Sequence, residues 1–215
     1  MKKLGILMIP LLILSLIAGA FGCGDGESWG ATPEPVSDSK IPAHFSTYTE
    51  EGLFRISYPP DWAPATAFMG EVWEETKRQM EGTIEDVYLE DMQMLFLAGM
   101  PTDEGYHPSV TIVVTSREPG YWTLDEVVAA EDAFAQANTP GYQVYSRTNA
   151  TVAGIEAAID DSTDNEPGYG QWRYITMMLV KDEFVWGVIC GSMYDDFRYH
   201  EDDFYSIVKS LRILQ

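Results

Sequence analysis

Between Gln143 and Cys190 the chain carries four apolar or β-branched runs in two tight pairs, and this pattern restricts the fold more than any other feature of the sequence. Gln143 to Val152 and Ile155 to Ile159 meet around Ala153-Gly154, a dipeptide suited to a short reversal. Trp172 to Val180 and Phe184 to Cys190 are joined by the turn-forming Lys181-Asp182-Glu183. Strands joined so closely lie antiparallel, because a parallel partner needs a crossover of about a dozen residues or more. Upstream, Gly52 to Tyr58 alternates and is stopped by Pro59-Pro60, which remove ladder donors. Met94 to Met100 and Val110 to Thr115 are further strands ended by turn residues.

Helices are few. Val72 to Met80 sets Val72, Trp73, Thr76 and Met80 near one face and ends at Gly82. Thr123-Leu124-Asp125-Glu126 is a capping box, in which the Thr side chain accepts from a first-turn amide and the Glu reaches back. The helix it opens carries Leu124, Val127, Val128, Phe134 and Ala135 at helical spacing and stops near Asn138-Thr139-Pro140-Gly141. Phe204, Ile207, Val208 and Leu211 form the apolar stripe of a C-terminal helix, with Glu201, Asp202 and Asp203 near the positive end of its dipole. Leu211 to Leu214 then has the character of a last strand. Hairpin strands with few helices between them predict an α+β fold: a mostly antiparallel sheet with helices packed on it. They exclude a doubly wound nucleotide-binding fold.

The N-terminus sets the compartment. Met1-Lys2-Lys3, an apolar run from Leu4 to Phe21 and small residues before Cys23 are the three parts of a secretory signal. A permanent membrane helix is the competing reading; Gly5, Pro10, Ser15 and Gly19 interrupt the run, which is close to the lower limit of about 17 residues for a span. Ala20-Phe21-Gly22-Cys23 resembles the lipobox of bacterial lipoproteins, in which the cysteine is acylated and becomes the new N-terminus. Ala20 and Phe21 depart from the usual residues there, so an ordinary secretory signal with an incidental cysteine stays open. Two acyl chains on Cys23 suffice for stable anchoring where one is marginal. Residues 24–40 are rich in Gly, Pro, Ser and acid and have no apolar period. Three parts follow: a signal peptide over 1–22, a disordered tether over 23–45, and one folded domain over 46–215, a common domain size.

If Cys23 carries lipid, Cys190 has no partner and reads as a small buried hydrophobe in its apolar run, with no basic neighbour in sequence to activate it. Net charge is −21, and cleavage before Cys23 removes Lys2 and Lys3 and no acid, taking it to −23. Nucleic acid is bound through Lys and Arg, so nucleic-acid binding is excluded. The charge suits cations or basic partners and equally serves solubility.

Tyr58-Pro59-Pro60-Asp61-Trp62, preceded by Tyr48 and Gly52-Leu53-Phe54, resembles the opening of PsbP-like domains, a fold group that includes Mog-type proteins and DcrB-type bacterial lipoproteins. The capped helix at Thr123, the Val152-Ala153-Gly154 turn, the paired late strands and the closing Ile207-Val208-Lys209-Ser210-Leu211 are similar in order. The resemblance implies an αβα sandwich from about Phe45 onward and no established chemistry. Physically, Trp62 has a large ring to bury against the sheet edge, with ligand contact as its lesser role.

Motifs for chemistry are sparse. His44, His107 and His200 are scattered, with no His or Cys at metal spacing. There is no nucleophile elbow, no Walker loop, no dinucleotide fingerprint and no His-Glu-x-x-His. In Asp160-Asp161-Ser162-Thr163-Asp164-Asn165-Glu166, the oxygens of Asp160, Ser162, Asp164 and Glu166 alternate as a calcium loop requires. Asn165 and Gln171 stand where that loop needs a glycine and a bidentate acid, and an acidic solvated hairpin loop is the alternative. Trp73, Tyr121, Trp122, Tyr169, Trp172, Tyr174 and Trp186 are many aromatics for one domain. Tyr121-Trp122 and Tyr169 flank glycines in turns, where they offer a contact surface; core filling is the alternative. Together these features point to a non-catalytic, membrane-anchored extracytoplasmic module with an envelope protein as partner. A binding protein for Ca²⁺ or a small ligand is the second expectation.

Overall fold

The structure is a computed structural model that describes residues 34–35, 41–67, 69–80, 91–102, 105–116, 123–166 and 170–214. The signal peptide and Cys23, together with Tyr121, Trp122 and Tyr169, lie outside the described residues. In chain order the first elements are β1 (Glu34–Pro35), β2 (Ser46–Glu50), β3 (Phe54–Tyr58), β4 (Ala63–Pro64) and α1 (Met69–Met80). Then come β5 (Met92–Thr102), β6 (Gly105–Ser116) and α2 (Leu124–Asn138). The hairpins are β7 (Gln143–Val152) with β8 (Ile155–Glu166), and β9 (Gly170–Lys181) with β10 (Phe184–Met193). A short 3-10 turn (Phe197–Tyr199), α3 (Glu201–Ser210) and β11 (Arg212–Ile213) close the chain.

Eight strands form one sheet in the order β1-β7-β8-β9-β10-β6-β5-β4, and β11-β3-β2 form a second. Among the described residues every pairing is antiparallel except β1 with β7. The predicted reversals hold for a local reason: Ala153 and Gly154 both take positive φ (53° and 83°), and Asp182 does so at 54°. Positive φ gives a two-residue hairpin turn the twist of its flanking strands. The capping box at α2 is fully made, with Thr123 N donating to Glu126 Oε2 at 2.7 Å and Glu126 N to Thr123 Oγ1 at 3.3 Å.

The large sheet is buried on both faces. One face presents Ile112, Ile159, Ile175, Met177, Val188 and Cys190 to α3 and the small sheet, where Phe54, Ile56, Phe204, Ile207 and Leu211 complete the core. The other presents Val113, Ala158, Tyr174, Met178 and Ile189 to α2, through Val127, Val128 and Phe134, and to Val72 and Trp73 of α1. The result is an α+β αβα sandwich. Fully burying each large apolar side chain contributes about 1.5–3 kcal/mol, so these two layers are the main stabilising term.

Two differences from the sequence reading have physical causes. Strand β8 runs on past Ile159 to Glu166, because β9 is long enough to pair its backbone from Ala157 through Glu166. Within the stretch read as tether, Glu34–Pro35 lies parallel to Ala150–Thr151 of β7, the open edge of the large sheet. No helix among the described residues is long and apolar enough to cross a membrane.

Candidate functional site

The acidic run read as a calcium-type or solvated loop is strand in the structure, and Asp160, Asp161, Ser162, Thr163 and Asp164 are all buried. A strand sets alternate side chains about 6.5 Å apart along one line, unlike a loop that gathers 6–8 oxygens at about 2.3–2.6 Å round Ca²⁺. Asp160 and Asp164 are each engaged elsewhere, and Glu166 contributes backbone pairing to Gly170. Among the described residues no group of three or more His, Cys, Asp and Glu stands where it could hold a metal ion.

Strand alternation sends these polar groups to opposite faces, and each face uses them differently. Toward α2, Arg147 on β7 lies opposite Asp160 on β8 and bridges to Asp132 on the helix. Its Nε donates to Asp160 Oδ1 at 2.7 Å, and its Nη1 and Nη2 donate to Asp132 at 2.7 and 2.9 Å. Tyr142 adds its hydroxyl to Asp132 at 3.1 Å. Burial pushes the Asp160 carboxyl up, and the Arg147 guanidinium offsets only part of that. Further along the same face Tyr174 donates to Asp164 at 3.1 Å, and its ring packs against Gly191. This network is closed over by α2 and latches the helix to the sheet.

Toward α3 the arrangement opens to solvent. Asp161 accepts from Arg173 Nε and Nη2 at 2.8 and 2.6 Å, a bidentate pair across β8 and β9. Those bonds hold the Arg173 guanidinium charged against the cost of burial. Its plane is covered by Phe197 at 4.3 Å from the ring centroid and by Tyr145 at 5.2 Å. Tyr145 hydrogen-bonds to Tyr194, and partial desolvation together with that bond pushes the Tyr145 hydroxyl up. Tyr205 on α3 closes the inner side of the cluster with a hydrogen bond to Ser146. Yet Tyr145 stays 43% exposed and Tyr194 39%, beside Met193 at 44%. Rings that are held on one side and open to water on the other have little side-chain entropy left to lose on any contact.

The structure brings together aromatics other than those expected from the sequence. Trp62 is 4% exposed, with its ring 6.2 Å from that of Phe204, and is a core residue rather than a contact residue. Trp172, Tyr174 and Trp186 are equally buried, and Trp73 of α1 packs partly buried against the core beneath the helix. Sequence alternation does not mark Tyr145, because it is the extra residue of a β-bulge between Val144 and Ser146, which alternation alone would turn the other way. Tyr194 had a weak signal: it opens Tyr194-Asp195-Asp196, a polar turn directly after an apolar strand.

No family model matches the sequence, and no curated protein matches it. Among solved structures the chain is similar to cyanobacterial PsbP (CyanoP) from Synechocystis, with a TM-score of 0.52 at 9% identity over 87% of this chain and 98% of that one. The chain has the PsbP-like fold. At that identity the likeness speaks for the fold alone. It is also similar to LpqN, involved in cell envelope biogenesis of Mycobacterium tuberculosis (TM-score 0.49, 12% identity, covering 85% of this chain and 99% of that one). A Pseudomonas aeruginosa protein of unknown function is similar as well (TM-score 0.47, 14% identity, 78% and 96% covered).

Proposed function

We propose that this chain is a non-catalytic binding module of the bacterial cell envelope, held to the extracytoplasmic face of a membrane by lipid on Cys23, and that a partner protein docks on the Tyr145–Tyr194 surface. The observation that carries this reading is the pair of exposed tyrosines braced on an Arg173–Asp161 pair that is itself satisfied. Two side chains of the kind that do covalent chemistry, Cys190 and Ser192, are held by the fold. Cys190 is fully buried, which pushes its thiol well up and leaves no thiolate at neutral pH. Ser192 is buried and gives its hydroxyl to the Met193 carbonyl. The stretch after Cys23 would supply reach between bilayer and domain.

The test is affinity purification from detergent-solubilised membranes. The intact chain should bring down a stoichiometric partner, and Tyr145→Ser with Tyr194→Ser should lose it while keeping the circular dichroism of the folded protein. Recovery of the chain alone, or a partner retained by the double variant, would overturn the assignment.

A further inference from the structure

We infer that the tyrosine surface recognises a lysine- or arginine-rich segment of a partner protein; this rests on the docking reading above and gives the partner its chemistry. Arg173 already shows what this surface favours, and two cations nearby in sequence make the same kind of contact with their own neighbours. Arg173 lies 4.3 Å over Phe197 and 5.2 Å over Tyr145, Arg198 lies 4.6 Å over Tyr199, and Lys209 lies 5.2 Å over Tyr205. An aromatic face attracts a cation at these distances, most strongly where the ring is partly desolvated. The exposed parts of Tyr145 and Tyr194 offer the same interaction to an incoming side chain.

Charge then selects the sign of the partner. Arg173 is neutralised by Asp161, so it does not repel a cation. The segment Tyr194–Asp202 carries Asp195, Asp196, Glu201 and Asp202 against Arg198 alone. Asp195, Asp196 and Asp202 are exposed, and none of the four acids is in an ion pair with a described residue. Tyrosine rings flanked by carboxylates with a net charge of −21 behind them steer basic chains inward and repel acidic ones. Lysine and arginine stems would lie along the rings while their heads meet the acids.

A dye-labelled octalysine peptide, titrated into the full chain in mild detergent at physiological salt and followed by fluorescence anisotropy, tests this directly. Two double variants, Tyr145→Ser/Tyr194→Ser and Asp195→Asn/Asp196→Asn, should each weaken binding at least about tenfold. Glu156→Gln/Glu183→Gln removes the same charge beside the hairpin turns at the opposite end of the sheet and should leave binding within about twofold. Unlabelled octalysine should compete and octaglutamate should not. An equal loss in all three variants would mean attraction to bulk charge only and overturn the inference, as would no binding by the unmodified chain. If octalysine fails while partner capture still depends on Tyr145 and Tyr194, the basic partner is wrong and the docking surface stands; if both fail, both fall.

Discussion

Replacing Arg147 by Met should be among the most damaging single changes away from the apolar core, because it strips a nearly buried carboxylate of its partner. The Asp160 side chain is 3% exposed, against 16% for Arg147 and 25% for Asp132. Removing one member of a buried pair costs about 3–5 kcal/mol. Asp132 can recover water, so the lower figure applies, and the loss at pH 7 should be about 3 kcal/mol. For a domain of this length that is a fall in Tm of about 6–12 °C. The loss should depend on pH with a defined sign. Without Arg147, burial raises Asp160 further, so the folded variant binds a proton that the unfolded chain has released. Stability gained that way is present at low pH and lost as pH rises through the folded pKa, so the deficit against the unmodified protein shrinks toward the carboxylate range and grows toward neutrality. Urea unfolding at a series of pH values, followed by tryptophan fluorescence, reads this out. Adding Asp160→Asn to Arg147→Met should restore part of the loss, since no charge is then left stranded. A deficit below about 1 kcal/mol at pH 7, or one that does not vary with pH, would refute the latch.

Other outcomes follow from single features. Gly191→Ala places a methyl 2.5 Å from Tyr174 Cδ1, a ring with no exposure and no room to retreat, and should cost about 1–3 kcal/mol in chemical unfolding; an unchanged urea midpoint would contradict the packing. Burial, with the charges of Glu131, Asp132 and Asp160 behind it, holds the Tyr142 hydroxyl far above its ordinary value. Tyr142 should therefore cost no stability below about pH 10 and add about 1.4 kcal/mol of loss per pH unit above it, a share of the alkaline slope that Tyr142→Phe should remove while the other raised tyrosines keep theirs; an unaltered alkaline slope would count against the burial. Mass spectrometry of the mature chain should find an acylated Cys23 at the N-terminus, and an unmodified Cys23 or cleavage elsewhere would remove the lipid anchor.

How much of this was legible in the sequence differs between backbone and site. Hairpin spacing and the Thr123–Glu126 box announced the β7–β8 and β9–β10 pairs and the start of α2, because turn geometry and capping are local effects. The polar half of β8 was misread, since Asp, Ser, Thr and Asn favour turns on their own and only the length of β9 and the cover of α2 and α3 make them strand. The site was hidden for a related reason. Whether a tyrosine is core or surface depends on which elements cover it. Tyr174 is enclosed over Gly191, whereas Tyr145 is thrown outward by a bulge. Trp62 was placed correctly by its prolines as a folding residue, and its ring indeed closes on Phe204.

The surface role of Tyr145 and Tyr194 is most directly tested by photo-crosslinking in intact cells, with a photoreactive residue installed at position 194 and, as a control at the far end of the sheet, at 183. A discrete protein adduct from 194 and none from 183 is the expected result. Equal labelling from both positions, or none from 194, would contradict the assignment of this surface to a partner.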